Sequence, residues 1–200
     1  MKKVTAMMIG FICITLLGAC SLDDVKEKFV PQALGLLVYG EEDNVINAIE
    51  ENEDALVNHA AWQVKQVRSE NEKEILVISD SDAKAMLDEK LWNKVVKEDK
   101  TDTLSQLPKA DDDSSLLFTK DTSIQTLDVA GITSNNEGNV VLGNSRTMTD
   151  MYMIVPDQIW DNLKGDVLTI GFMHFHKDEN PKHKINNFPD IETVQLIDVN

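Results

Sequence analysis

Apolar stretches of strand length recur along the chain, and most are ended by a glycine, a proline or an acidic residue. Such a pattern is typical of short β-strands separated by turns. The predicted strands are 34–39, 61–68, 74–80, 116–119, 127–133, 139–143, 152–155, 167–175 and 192–199. The polar stretches 69–73 and 134–138 each separate two of these strands, so each predicts a β-hairpin.

Helical spacing of apolar residues predicts two or three helices. In 41–60 the apolar face is interrupted by the polar stretch 50–54, which leaves open one helix or two shorter ones. In 82–97 apolar residues recur in steps of four, with Trp92 beside them, and a short third helix is predicted at 158–163. The expected fold is therefore α+β, with a mostly antiparallel, hairpin-built sheet and two or three helices packed on it.

One unit recurs in LLVYGEEDNVINAI, ILVISDSDAKAML and YMIVPDQIWDNL: an apolar strand, a breaker with acids and a helix-like segment. The recurrence raises the hypothesis of a tandem duplication with two similar halves, although strand-turn-helix is a common unit. The last two stretches resemble extracytoplasmic domains of FtsX/MacB-type transporter permeases. That resemblance implies a membrane transporter as a partner.

The first 20 residues have the build of a secretion signal. Lys2 and Lys3 precede an apolar run that is too short to span a bilayer comfortably. The segment LGAC, which ends at Cys20, resembles a bacterial lipobox, and the resemblance implies that Cys20 is lipidated and becomes the mature N-terminus. An uncleaved N-terminal anchor is the alternative. We expect a signal peptide at 1–19, a lipidated tether at 20–33 and a single extracytoplasmic α+β domain at 34–200.

The two cysteines narrow the chemistry of the mature chain. Cys13 lies inside the signal and would be discarded, and Cys20 would carry the lipid. A mature chain without a free thiol has no cysteine nucleophile, no thiolate zinc site and no iron–sulfur ligation.

Charge excludes further classes. The formal net charge is −16, and loss of the two signal lysines makes the mature chain more acidic still. Such a chain repels nucleic acid and anionic lipid at long range, so we expect no nucleic-acid partner. Its basic residues are almost all lysine, which suits an AT-rich genome. Together with the lipobox, this composition resembles the small lipoproteins of Bacillus-like Gram-positive bacteria.

The usual catalytic motifs are missing from the sequence. It contains no G-x-S-x-G, no H-E-x-x-H, no phosphate loop and no dinucleotide-binding glycine pattern. We therefore expect a non-enzymatic protein.

The segment MHFHKDENPKHK, residues 173–184, is the candidate metal site. On a strand His174 and His176 would share one face, a spacing that can chelate zinc or copper ions. The further candidate ligands are His183, Asp178 and Glu179, and the methionines at 148, 151, 153 and 173 would suit Cu(I). The alternative, which we favour, is that both faces of 167–175 are apolar and the histidines mark the polar end of a buried strand. Three nearby lysines would also repel a cation.

These observations predict a lipid-anchored binding or interaction module on the extracytoplasmic face of the cell membrane. It would be non-enzymatic and without a cofactor, and its partner would be a membrane protein such as a transporter. The alternative is an extracytoplasmic lipoprotein that binds zinc or copper through the histidine segment.

The lipid anchor gives the first testable prediction. Cys20→Ala should release the protein from the membrane fraction or leave the precursor uncleaved, because the lipid has no other attachment point. Fractionation with mass determination measures both effects. An unchanged mature mass together with unchanged membrane retention would contradict the lipidation.

Overall fold

A nine-stranded mixed sheet organises the chain. The computed structural model describes residues 35–97, 100–109 and 115–199. The strands are β1 (Gly35–Gly40), β2 (Leu56–Arg68), β3 (Glu74–Ser79), β4 (Trp92–Lys97), β5 (Lys100–Thr103), β6 (Ser115–Phe118), β7 (Thr126–Val129), β8 (Ile132–Asn136), β9 (Val140–Leu142), β10 (Met151–Val155), β11 (Asp166–Phe175) and β12 (Thr193–Ile197). The α-helices are α1 (Glu42–Glu50), α2 (Asp80–Asp88) and α3 (Asp157–Asn162). Short 3₁₀ turns lie at Glu53–Ala55, between α1 and β2, and at Pro181–His183 and Ile185–Asn187, between β11 and β12.

The large sheet has the order β12-β1-β11-β2-β3-β10-β6-β8-β7, and a second sheet has the order β5-β4-β9. Two neighbouring pairs of the large sheet, β3–β10 and β6–β8, are parallel, and the other pairs are antiparallel. The predicted α+β class, with three helices and a mostly antiparallel sheet, is confirmed. Strands of the C-terminal half insert among those of the N-terminal half, since β11 lies between β1 and β2. The two halves therefore share one sheet.

Both faces of the large sheet are buried, because the helices and the small sheet pack against them. On β11, Ile170 and Phe172 belong to the core under the small sheet and α2, whereas Met173 and Phe175 belong to the core under α1. A third cluster, which includes residues of β3, β6 and β10, packs against α3. The prediction that 167–175 is a central buried strand is confirmed. Gly171 has no room for a side chain, because an added Cβ would lie 2.7 Å from side-chain carbons of Val38 and of Val45 in α1.

The predicted helix at 82–97 is wrong beyond Asp88. Lys90 adopts a positive φ of 59°, and the N–H of Leu91 donates to Met86 O at 3.0 Å, so the helix closes with a left-handed cap. Glycine usually occupies such a cap, and a lysine there gives no sequence signal. The steps of four in the apolar pattern thus cross a helix, a turn and the start of β4. Trp92 is fully buried there, and its Nε1–H donates to Ala83 O at 3.0 Å.

The segment 41–60 contains one helix and the beginning of a strand. α1 ends at Glu50, and β2 begins at Leu56 after one 3₁₀ turn. The polar stretch 50–54 therefore marks the end of the helix. The residues after it form a strand, because β11 supplies a long antiparallel partner from Asp166 to Phe175.

The hairpin at 69–73 is confirmed and joins β2 to β3. The second predicted hairpin is wrong. β8 pairs with β7 across a tight turn at Ala130 and Gly131, whose φ values are 53° and 80°, and β9 instead pairs with β4. Two positive φ values are the mark of a mirror-image hairpin turn, which usually carries Asn-Gly or Asp-Gly. The dipeptide Ala130-Gly131 has the glycine of this signal but lacks the Asn or Asp that usually precedes it.

A buried lysine fixes α3 against the sheet. Lys65 of β2 donates through Nζ to Trp160 O at 2.6 Å and to Leu163 O at 2.9 Å, at the C-terminal end of α3. The same ammonium lies 4.2 Å from the centre of the Trp160 ring. Carbonyl groups at a helix C-terminus carry partial negative charge, so they can hold the Lys65 ammonium without an ion pair among the described residues.

Within the described ranges, no helix combines the length and apolar character that a bilayer crossing requires. The predicted signal peptide and tether, at 1–19 and 20–33, lie outside the described residues, and their boundaries stay predictions.

The core gives the second prediction. Trp92→Ala and Phe172→Ala should each lower the free energy of unfolding by roughly 2–5 kcal/mol, because both side chains are fully buried in the same cluster. Chemical denaturation of protein produced without residues 1–20 measures the loss. Val57→Ala is the matched control, since Val57 is an exposed strand residue. A loss near zero at both aromatic positions would show that this cluster does not stabilise the fold.

Candidate functional site

Of the two histidines that the strand pattern paired, only His174 lies on the strand. β11 ends at Phe175, and its register against β2 shifts between His174 and Phe175. His174 is half-buried, and its ring centre lies 6.4 Å from that of Phe172. His176 is exposed beyond the strand, and its backbone N–H donates to Ala55 O at 3.0 Å. The argument from alternating strand faces therefore does not extend to His176.

The other candidate ligands lie on the exposed segment that follows. His183 and Asp178 are exposed, and Glu179 forms an ion pair with Lys184 at 3.3 Å. In residues 35–97, 100–109 and 115–199, no three His, Cys, Asp or Glu side chains come together as a set that could hold a metal ion. The four methionines are buried in three different core clusters, so their sulfur atoms do not converge either.

A cleft of about 550 Å³ is the better candidate for a functional site. Its walls come from the small sheet, from the ends of β6 and β12 and from the loop after β9. We call it the Arg146 cleft; its lining residues are Val95, Lys100, Thr101, Lys120, Asn139, Val141, Asn144, Ser145, Arg146 and Asp198. Three of them are basic and one is acidic, in a chain where acidic residues outnumber basic ones 35 to 19. The cleft therefore reverses the charge balance of the chain.

Arg146 lines this cleft and is held mainly by backbone carbonyls. Its Nη1 donates to Asp150 O at 3.1 Å, and its Nη2 donates to Val140 O at 2.7 Å and to Asn139 Oδ1 at 3.0 Å. Among the residues that the structure describes, no carboxylate forms an ion pair with it. Burial lowers the pKa of Arg146, but a guanidinium remains charged at any physiological pH. The site thus contains a fixed positive charge whose Nη groups are already engaged.

The loop that carries Arg146 is fastened by Gln195 of β12. Gln195 Oε1 accepts from the backbone N–H groups of Asn144 and Ser145, and Nε2 donates to Ser145 O at 3.2 Å and to Thr147 Oγ1 at 2.9 Å. Gly143 begins the loop with a φ of +69°, and a side chain there would collide with Gln195. These contacts fix the backbone of the cleft wall.

The two lysines at the mouth are free to meet a ligand. Lys120 is exposed and has no ion pair within the described ranges. Lys100 lies 3.8 Å from Asp102, but both side chains are more than 60% exposed, and a pair that exposed contributes little. Asp198, the single acid of the cleft, is also exposed.

Little in the amino-acid sequence indicates this site. Its residues are spread from 95 to 198, and single lysines and asparagines form no motif. The nearest sequence signal is the glycine pair Gly138 and Gly143, whose spacing is wrong for a phosphate loop. The described lining of the cleft consists of polar, charged and aliphatic side chains.

The mixed sheet, the three-stranded sheet and the three helices define an α+β protein with a charged cleft. The chain belongs to an uncharacterised lipoprotein family, whose model matches residues 33–200. It is also similar to a 1.5 Å crystal structure of a "Putative Lipoprotein" from Bacillus anthracis. The two share 30% identity with a TM-score of 0.77, over 84% of this chain and 100% of the other. No curated protein matches the sequence.

The two matches confirm the prediction of a bacterial lipoprotein. The second also agrees with the resemblance to lipoproteins of Bacillus-like bacteria. The lipobox ending at Cys20 lies before the residues that the family model matches, so lipidation at Cys20 stays a prediction.

The histidine segment gives the third prediction. We expect titration calorimetry with zinc and copper ions to show only weak, non-stoichiometric binding. The reason is that His174 is half-buried on β11, whereas His176 is exposed beyond the end of the strand. The double change His174→Ala/His176→Ala should leave that binding nearly unchanged. One-to-one binding with a Kd below about 1 μM, lost in the double variant, would establish a metal site instead.

Proposed function

We propose that this lipoprotein is a non-enzymatic binding module whose ligand site is the Arg146 cleft. One observation carries the proposal: a cleft of about 550 Å³ with convergent polar side chains has a backbone fixed on several sides. Its volume lies within the range of about 300–1,000 Å³ that is usual for small-molecule sites. A metal-binding function at the histidine segment has no comparable observation in its favour.

The fixed wall supports binding for an energetic reason. Association costs free energy when loops and side chains become ordered, and a wall that is already ordered avoids part of that cost. Gln195 holds two backbone N–H groups of the loop, while Asn93 Nδ2 donates to Gly143 O at 2.9 Å from the opposite side. The side chain of Ser145 is exposed and takes part in none of these contacts.

Location completes the proposal. We propose that the domain lies outside the cytoplasm, attached through a lipid on Cys20 to the outer face of the cell membrane; the signal-like N-terminus, the lipobox-like segment and the lipoprotein family support this location. A binding module at that position would present its ligand to a membrane protein, and a transporter is the partner we propose.

Filling the cleft gives the fourth prediction. Ser145→Trp should place an indole in the cleft and abolish ligand-induced thermal stabilisation, whereas Asn47→Trp, on the exposed side of α1, should not. The measurement is the Tm of each protein with a panel of sugars, amino acids, organic acids and sugar phosphates. At least one compound should raise the Tm of the unaltered protein and of Asn47→Trp, but not that of Ser145→Trp. If none does, or if Ser145→Trp responds equally, the cleft is not the binding site.

A further inference from the structure

The charges of the Arg146 cleft point to the class of its ligand, an inference that rests on the proposed function. We infer that the ligand is a small molecule bearing a carboxylate or phosphate group, bound between the ammonium groups of Lys100 and Lys120 in front of Arg146. The shared chemistry is a compact oxyanion, and carboxylates and phosphates are its two sources.

The guanidinium of Arg146 provides the first argument. A buried cation is expensive unless an opposite charge or a full set of hydrogen bonds compensates it. Neutral oxygen atoms supply the hydrogen bonds of both Nη groups, and Nε is buried with no hydrogen-bond partner among the described residues. No carboxylate of the described residues lies within ion-pair distance of Arg146, and the nearby charge of Asp150 compensates it only from farther away. An anionic ligand in the cleft would add a negative charge on the ligand side.

The hydrogen-bonding groups provide the second argument. Asn139 Oδ1 accepts a hydrogen bond from Arg146 Nη2. The amide NH₂ of Asn139 is therefore the group that can donate to a ligand. Thr101, Asn144 and Ser145 line the same cleft with further donors. Oxyanions accept several hydrogen bonds at once, and those from charged donors are the strongest.

The absence of rings limits the size and type of the ligand. The cleft's lining contains two valines but no aromatic side chain. Nucleobases and extended sugars are usually held by stacking on aromatic rings, and this cleft offers no such platform. A compact, polar molecule fits the lining better.

The overall charge selects small anions over polyanions. At physiological ionic strength charges are screened over about 8 Å, so a small anion inside the cleft experiences mainly the local lysines and Arg146. An anionic polymer would also extend over the acidic surface outside, where the net charge of −16 repels it. The same local charges disfavour a divalent cation.

The experiment uses the mature lipoprotein in nanodiscs of zwitterionic lipid, which add no anionic surface. Isothermal titration calorimetry is performed with citrate, inorganic phosphate and glycerol 3-phosphate as anionic probes and with glycerol and glucose as neutral ones. The variants are Lys100→Gln, Lys120→Gln and Asp198→Asn. Lys94→Gln and Lys177→Gln are the matched controls, because both lysines are exposed and neither lines the cleft.

We expect one-to-one binding of at least one anionic probe. Each lysine variant of the cleft should weaken it about tenfold or more, the loss typical of one charge-assisted hydrogen bond. Asp198→Asn should strengthen it several-fold, because a repelling carboxylate is removed. The control variants should bind as the unaltered protein does, and added salt should weaken binding. Comparing citrate with the two phosphates identifies the source of the oxyanion.

Three results would overturn the inference. If a neutral probe binds in the cleft and the lysine variants bind it equally well, the proposed function stands and the anionic ligand is wrong. If anion binding survives both lysine changes, the anion binds elsewhere on the surface. If no probe binds and Ser145→Trp also changes nothing in the thermal screen, the proposed function and this inference fail together.

Discussion

Burial of both faces of one large sheet is the constraint on which the rest of the structure depends. Strands such as β1, β3, β10 and β11 carry apolar side chains in both directions, so neither face can remain in water. One face takes the small sheet and α2, and the other takes α1 and α3. The position of the Arg146 cleft follows from this arrangement, because the cleft lies where the small sheet meets the ends of β6 and β12.

Polar side chains join the layers at that boundary. Arg146 bridges the carbonyl groups of Val140 in the small sheet and of Asp150 just before β10, and Gln195 fastens the intervening loop to the edge of the large sheet. Hydrogen bonds of this kind contribute modestly in net free energy, but leaving their buried partners unmade is costly. The same contacts therefore hold the layers together and shape a positively charged recess in an otherwise acidic protein.

Sequence patterns predicted the fold where a single physical signal dominated. The apolar run 167–175 was recognisable as a central strand because neither of its faces is polar. The pattern failed where a conformation used an uncommon residue: Lys90 ends α2 in the place of a glycine, and Ala130 opens a hairpin turn in the place of an asparagine. The cleft could not be predicted, since Lys100, Lys120 and Asp198 become neighbours only through strand order. The histidine motif looked compact in sequence, but it spans the end of a strand, as the favoured interpretation of these residues expected.

The strand order has a consequence for how the protein is made. β1, the first strand, pairs with β11 and β12, the last two, so its edges are filled only when the C-terminus is available. Contacts between residues so distant in sequence are closed late and slowly during folding. A nascent chain that has not yet exposed β11 and β12 lacks both partners of its first strand. The order of synthesis therefore leaves β1 unpaired until the C-terminal strands are available.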